Sequence, residues 1–361
     1  MLIKPALKTG VTVYPPSQSH ELRIGTRFRF CTLPNYWSDL STRHLIELFN
    51  GQRTLPAIAL VAGIPEAAVQ SLVDELATHD LVDLHRTPIT YLRRYNPELG
   101  RIEDVNDLDE LTDDYAAESF MRRMDIECDA VTHNVGDRDG GRTAVLERRN
   151  FPILIFGAGK IVNSLIGVLS ASGFSEVSSI NRVSSKDSSL KISEGDVAGG
   201  FVGKKDLGQS RKKVIEEIRD RSSLFSSPKP HINKPKLIIS IGNPSPDSLQ
   251  RWMMENTPHL LVDIPTPSEV RIGPLVIPGK SPCARCVQLA EGIAMPISQK
   301  CDVSAAFSLS IASAIALDVI SLADRNSSIY LSTSYIHSLR HYHQPEIQHW
   351  SQHHACGCTW S

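Results

Sequence analysis

The chain opens on period-two runs. "GVTVY", "HELRI" and "RFRFCTL" read as three short strands, and in the third Phe28 and Phe30 alternate with Arg27 and Arg29, the pattern of a half-buried strand. The spacing of apolar positions then changes to three and four. "STRHLIELFNG" carries Ser41 as a candidate N-cap and Gly51 as a stop, and "TLPAIALVAG" runs from Thr54 to Gly63. "PEAAVQSLVDELATHD" begins at Pro65 and gathers Val69, Leu72, Val73 and Leu76 on one apolar face. "LVDLH" reads as a returning strand. Three strands, three helices and a wing predict a winged-helix unit over residues 1–95.

Residues 96–150 read as an acidic linker with a helix leading into the next domain. Eleven Asp/Glu stand between Glu103 and Asp129 against Arg122 and Arg123, and "TDDYAAESFMRRM" fits one amphipathic helix capped by Thr112. The glycine-rich "GDRDGGR" after it reads as a turn. From residue 151 the pattern is different. "FPILIFGAGKIVNSLIGVLSASGF" is a continuous apolar run, a Gly-Ala-Gly turn and a helical repeat, the strand, loop and helix that open a doubly wound α/β fold. "EVSSINRV", "PKLIISIGN", "HLLVDIP" and "GPLVIPG" supply further strands of this second domain, residues 151–361.

Composition removes several classes of function. With 41% hydrophobic and 22% charged residues the chain sits near globular averages, and its formal charge of -2 points to no nucleic-acid or membrane partner. DNA, the usual partner of a winged helix, is disfavoured more directly. From Thr54 to His85 there is no Lys or Arg, while the third helix carries Glu66, Asp74 and Glu75. The apolar stretch "AAFSLSIASAIALDVISLA" holds four serines and Asp318, so it reads as a buried helix rather than a membrane span. "MLIKPALKTG" lacks the apolar core of a secretory signal, and the cytoplasm is the expected compartment.

Four of the seven cysteines form two close pairs, Cys283/Cys286 in "SPCARCVQ" and Cys356/Cys358 in "HACGCT". Four soft sulfur ligands are the set of a tetrahedral Zn2+ site, closed to water and therefore structural. Such a site would hold down a C-terminal tail that would otherwise fray. The competing readings are two independent thiol pairs or redox-active cysteines, with His353 and His354 as substitute ligands. Cys301 has no motif around it.

Gly157 and Gly159 are the first two glycines of a dinucleotide fingerprint whose third position is Val162, and "INRV" stands where an acidic residue would take a ribose hydroxyl. Together, the Gly-x-Gly strand, "GPLVIPGKSPCARCVQLA", the small-residue helix and the terminal "HHACGC" resemble the ThiF/MoeB adenylating fold, related to ubiquitin-activating enzymes, over roughly residues 110–361. With a winged-helix segment in front, the chain looks like the ThiF-like leader-peptide-binding proteins of azole-forming (TOMM) and bacteriocin-like peptide clusters.

The resemblance implies an α/β protein in which a winged-helix peptide-recognition domain precedes a ThiF/MoeB-like Rossmann-type domain with a four-cysteine zinc site. It implies that a leader peptide adds as a strand beside the third strand and against the third helix, with Phe28, Phe30, Val69, Leu72 and Leu76 about the pocket, although each of these also suits the core. It implies a YcaO-type cyclodehydratase partner and a homodimer. The motifs depart from the adenylating pattern, which has an Asp-x-Asp segment where this chain reads "INRVSSKDSSLKIS" and a magnesium aspartate where it reads "SIGNPS". Gly157 and Gly159 are then a nucleotide-binding remnant, ATP is not expected, and Lys204, Lys205, Arg211, Lys212 and Lys213 read as a solvated helix face. The expectation is a non-catalytic scaffold that delivers a precursor peptide to the cyclodehydratase. The rival is an ATP-dependent ThiF-like enzyme that activates a peptide or carrier-protein carboxylate.

Overall fold

The computed structural model of the chain describes residues 3–8, 10–14, 22–26, 28–33, 39–84, 92–96, 101–105, 114–135, 140–180, 191–198, 200–225, 232, 234–242, 244–292 and 303–358. The chain divides into two compact units, Met1–Leu146 and Glu147–Ser361.

In the first unit β1 (Ala6–Leu7) precedes β2 (Thr12–Tyr14), β3 (Leu22–Gly25) and β4 (Phe30–Leu33), which form an antiparallel sheet in the order β2-β3-β4. Three helices follow, α1 (Asp39–Glu47), α2 (Leu55–Ala62) and α3 (Glu66–Thr78), and β5 (Val82–Asp83) returns to pair with β1. Helix α2 begins and ends where its sequence predicts, with Thr54 extended before it and Gly63 left-handed after it at φ 67°. Helix α1 starts at Asp39, so Ser41 lies inside it rather than at its cap.

Strand β4 corrects the predicted face. Cys31 and Leu33 are buried at 1% and 3% exposure, whereas Phe30 is 42% and Phe28 87% exposed. A shift of one residue turns every side chain of a strand to the other face. Gly25 pairs with Phe30 where the two strands meet closely: a Cβ on it would stand 2.1 Å from the Arg29 carbonyl oxygen and 2.5 Å from Phe30 Cα. On α3, Val69, Leu72, Val73 and Leu76 are at most 2% exposed and close the core with Ile24, Leu45 and Ile58.

The connector holds an unforeseen antiparallel hairpin, β6 (Leu92–Asn96) with β7 (Arg101–Val105), which straddles position 95. Then come α4 (Asp114–Val135) and the short α5 (Arg142–Glu147); Thr112 lies outside the described residues.

The second unit begins with β8 (Ile153–Phe156), α6 (Lys160–Ala171) and β9 (Val177–Ile180), and continues through α7 (Arg211–Ser222), β10 (Leu237–Ile241), α8 (Pro246–Met254) and β11 (His259–Thr266). Strand β12 (Glu269–Val276), helices α9 (Ala284–Glu291) and α10 (Ala305–Arg325), and strands β13 (Thr333–Ser338) and β14 (Glu346–His349) complete it. One seven-stranded sheet runs in the order β14-β13-β12-β11-β10-β8-β9. Strands β9, β8, β10 and β11 are parallel, and β12, β13 and β14 extend the sheet in antiparallel fashion. Alternating residues such as Ile153 and Ile155 enter a core shared with α6 and α10. Among the described residues α10 is the one helix long and apolar enough to cross a membrane, and its Phe307, Ile311, Ile315 and Val319 lie in this core. Buried Arg148 ties the start of the unit to the end of α10 by donating to Asp324 at 2.9 and 2.6 Å.

Candidate functional site

Three places carry chemistry. The first is the crevice at the carboxyl ends of β8 and β10. These neighbours are parallel, yet the chain leaves β8 through α6 toward β9 on one side and β10 through α8 toward β11 on the other, so the strand order reverses between them. Such a switch point is where open α/β sheets bind ligands. Gly157 ends β8 at φ 137°, and a Cβ there would lie 2.5 Å from the Ile241 carbonyl oxygen, so only glycine lets the two strand ends come so close. Gly242 ends β10 at φ 90° with open space beside it.

Gly159, at φ 106°, is the N-cap of α6 and supplies no side-chain cap, so the amides of the first turn point into the crevice mouth unclaimed by a side chain of that residue. The first turn holds no acid, and its first residue is Lys160. Both glycines of the predicted remnant therefore stand at the crevice. Val162, in place of the third glycine, is 1% exposed and packs in the core.

Sequence reasoning missed what borders this helix. Asn163, fully buried in α6, donates through Nδ2 to the Asp196 carbonyl oxygen at 3.3 Å, while its Oδ1 has no hydrogen-bond partner among the described residues. Arg211, read as part of a solvated face, is instead largely buried and bound to the Asp196 carboxylate. Burial would raise that carboxyl, but the guanidinium and the Ser193 donors outweigh it and hold it below the usual range. Beside Gly242, a small pocket lined by Leu261, Val262, Pro274 and Val287 has Arg271 at its edge, flanked by Asp263 at 3.5 Å and by Glu291. Residues 181–190, Asn243 and Cys301 lie outside the described residues.

The second place is the thiol cluster. Cys283 and Cys286 sit at the start of α9, where Cys283 is the extended N-cap, and Gly357, at φ 73°, turns the tail so that Cys356 and Cys358 face them. Cys283 Sγ lies 3.8 Å from Cys286 Sγ and 3.4 Å from Cys356 Sγ, Cys286 Sγ lies 3.4 Å from Cys358 Sγ, and all four fall within 4.8 Å of one another. Metal–sulfur bonds of about 2.3 Å in a tetrahedron put sulfurs about 3.8 Å apart, so the set could hold a metal ion. The His353 N–H donates to Cys286 Sγ at 3.3 Å. His353 Nδ1 accepts from the Ala355 N–H, and its ring stacks on His354 at 4.4 Å, so neither histidine joins the cluster. Burial pushes the Cys283 thiol up, and that of Cys358 to about 11; at Cys286 burial is outweighed by the donated hydrogen bonds.

The third place is the edge of β4. That strand pairs with β3 alone among the described residues, so its other side is a sheet edge. Phe30 is exposed there with the Arg23 guanidinium 4.9 Å from its ring centre, and Phe28 projects from the turn. Of the other residues expected about the pocket, Val69, Leu72 and Leu76 are sealed in the core. Among the residues α3 leaves accessible, Ala68, Ser71 and Glu75 fall on one stripe of the helix at spacings of three and four.

No protein-family model matches the chain, and no curated protein matches its sequence. Solved structures do match over its whole length. Escherichia coli MccB with AMPCPP and selenomethionine-labelled MccA superposes with a TM-score of 0.61 at 16% identity, covering 98% of each chain. The microcin C7 biosynthetic enzyme MccB in complex with N-formylated MccA gives a TM-score of 0.59 at 16% identity over 98% of this chain and 99% of that one. PaaA gives 0.60 at 12% identity, covering 96% of this chain and all (100%) of PaaA. The chain has the ThiF-like fold that the sequence resemblance implied.

Proposed function

We propose that this chain is a peptide-directed ThiF-like enzyme of ribosomal peptide natural-product biosynthesis. Its first unit binds a precursor peptide, and its second uses ATP to activate a carboxylate as an acyl adenylate. The observation that carries this reading is the match of the entire chain, both units included, to MccB structures that hold ATP or MccA. The switch-point crevice supports it: two glycines, an uncapped helix N-terminus and Lys160 suit a polyphosphate. This reverses the sequence-based preference, in which the adenylating enzyme was the rival and ATP was not expected.

In this reading the first unit is a winged-helix recognition domain, with the leader added to the β4 edge beside Phe28 and Phe30. The thiol cluster is a structural Zn2+ site, the division at 1–95, 96–150 and 151–361 follows function, the protein works in the cytoplasm, and two copies form a homodimer. The mechanism asks little of covalent chemistry. The α6 amides and Lys160 would hold phosphate oxygens while a peptide carboxylate oxygen attacks the α-phosphorus in line and pyrophosphate leaves.

A second reading, the scaffold that delivers a peptide to a YcaO-type cyclodehydratase, is favoured by one observation. Two arginines of the second unit, among the described residues, are already matched by acids, Arg211 by Asp196 and Arg271 by Asp263 and Glu291. ATP–pyrophosphate exchange by the purified chain with its precursor peptide decides between them. Exchange is expected. Its absence, together with ATP consumption that starts only when a YcaO protein is added, would establish the scaffold instead.

A further inference from the structure

The side of α3 that neighbours the start of β4 is charged. Arg29, just before β4, donates to Asp80, just after α3, at 3.2 Å, which brings the start of the strand to the end of the helix. One turn further along, Glu75 of α3 stands close enough to Cys31 of β4 to help raise that thiol, after burial, to about 11. Glu75 is half exposed, and it pairs with His79, Nε2 to Oε1 at 3.2 Å. The other acids of this helix are Glu66 and Asp74; Asp74 accepts from Gln70 at 2.7 Å. Asp80 is shared by Lys8 and Arg29. No Lys or Arg occurs between Thr54 and His85, so α3 has no lysine or arginine of its own to set against Glu75.

A strand added to β4 alternates its side chains between the outer face, where Phe30 and Thr32 are exposed, and the helix side, where Cys31 and Leu33 point. On the helix side Val69, Leu72 and Leu76 are already sealed in the core, and the accessible stripe that carries Glu75 has Ala68 and Ser71 at the helical spacings before it. Small residues leave room for a long side chain, and the carboxylate favours a cation at its tip. We infer that the peptide taken up by the β4 edge carries a lysine or arginine on its helix-facing side, read by Glu75. The inference rests on the peptide-binding reading above and adds the chemistry of the residue selected.

The test uses the full chain and acetylated, amidated ten-residue peptides of alternating Val and Thr with Lys, Arg, Gln or Glu at one central position. Affinity is read by fluorescence anisotropy, and the site by hydrogen exchange of the β4 amides. The Lys and Arg peptides should bind about five- to tenfold more tightly than the Glu peptide and protect β4, with the preference shrinking at about 0.5 M salt. Glu75→Gln should abolish the preference and Glu75→Lys reverse it, with the melting temperature unchanged because the side chain is half exposed. Protection of β4 without charge preference, or a preference that survives both substitutions, overturns the inference and leaves the peptide reading standing. If no peptide protects β4, or only a second copy of the chain does so in proportion to protein concentration, the peptide reading fails and the inference falls with it.

Discussion

Arg211 grips Asp196 with both terminal nitrogens, Nη1 to Oδ1 and Nη2 to Oδ2, each at 2.7 Å. The same carboxylate accepts from the Ser193 N–H and Oγ at 2.8 Å, so it closes the Ser193–Asp196 turn and ties the start of α7 to the segment that Asn163 of α6 also touches. Removing the cation strands a carboxylate that is only 4% exposed. Arg211→Ala should therefore lower the unfolding free energy by about 3–5 kcal/mol, and the Asp196→Ala/Arg211→Ala double variant by less than the two single losses added. Urea unfolding measures both. Additive losses would mean that the pair contributes nothing as a pair.

His259 gives the second unit a pH dependence. Its side chain is fully buried, its Nδ1 donates to the Thr257 carbonyl oxygen at 2.9 Å, and the ring packs 5.4 Å from Trp252. Burial lowers its pKa from 6.5 to about 4. The folded state thus refuses a proton that the unfolded state accepts between these values. Stability should fall as the pH drops from about 6.5 to about 4, by about 3 kcal/mol in all, and this contribution should then level off. In His259→Phe the slope across that window should flatten. Urea midpoints taken at half-unit pH steps would show it; an unchanged slope assigns the dependence to another group.

The thiol pairs, the Gly-x-Gly turn and the ends of α2 were legible because each depends on local chemistry: sulfur type and spacing, glycine's freedom at positive φ, and a Thr and a Gly bracketing an apolar run. The outward turn of Phe28 and Phe30 was not legible. Phe-Arg alternation and the Cys31–Leu33 alternation have the same period, and which face is inner follows from Cys31 and Leu33 packing against the helices. Nor was the Arg211–Asp196 pair, since fourteen residues of mixed polar and apolar sequence separate the two charges and Arg211 read as part of a solvated face. Glu75 was visible as a reason against DNA, but its place beside β4 depends on how α3 packs.

The thiol cluster should bind about one zinc per chain, and ligand loss should free the tail. A structural zinc site supplies an apparent ~10–16 kcal/mol in small peptides, well above what one tail needs to stay ordered. In Cys356→Ser/Cys358→Ser, metal content by mass spectrometry should fall to near zero, and limited proteolysis should cut after β14 while leaving α9 intact. The strand β14 itself is held by pairing with β13 and by the Trp350 Nε1 bond to Ser334 Oγ at 2.8 Å, so cleavage should stop there. Unchanged zinc content would remove the site from these residues.

Lys160 separates nucleotide binding from stability. It is the first residue of α6, partly exposed beside Gly159, where a phosphate group would lie against the uncapped amides. An acid at a helix N-terminus is favourable to the helix, by about 0.3–1 kcal/mol. Lys160→Glu should therefore leave the melting temperature unchanged or slightly raised. The same carboxylate opposes a triphosphate and replaces an attractive charge, so ATP affinity measured by calorimetry should fall at least about tenfold. Weakened binding in a protein that is no less stable cannot come from unfolding, and it locates the nucleotide at the crevice between Gly157 and Gly242. Equal ATP affinity in the two proteins would move the nucleotide elsewhere.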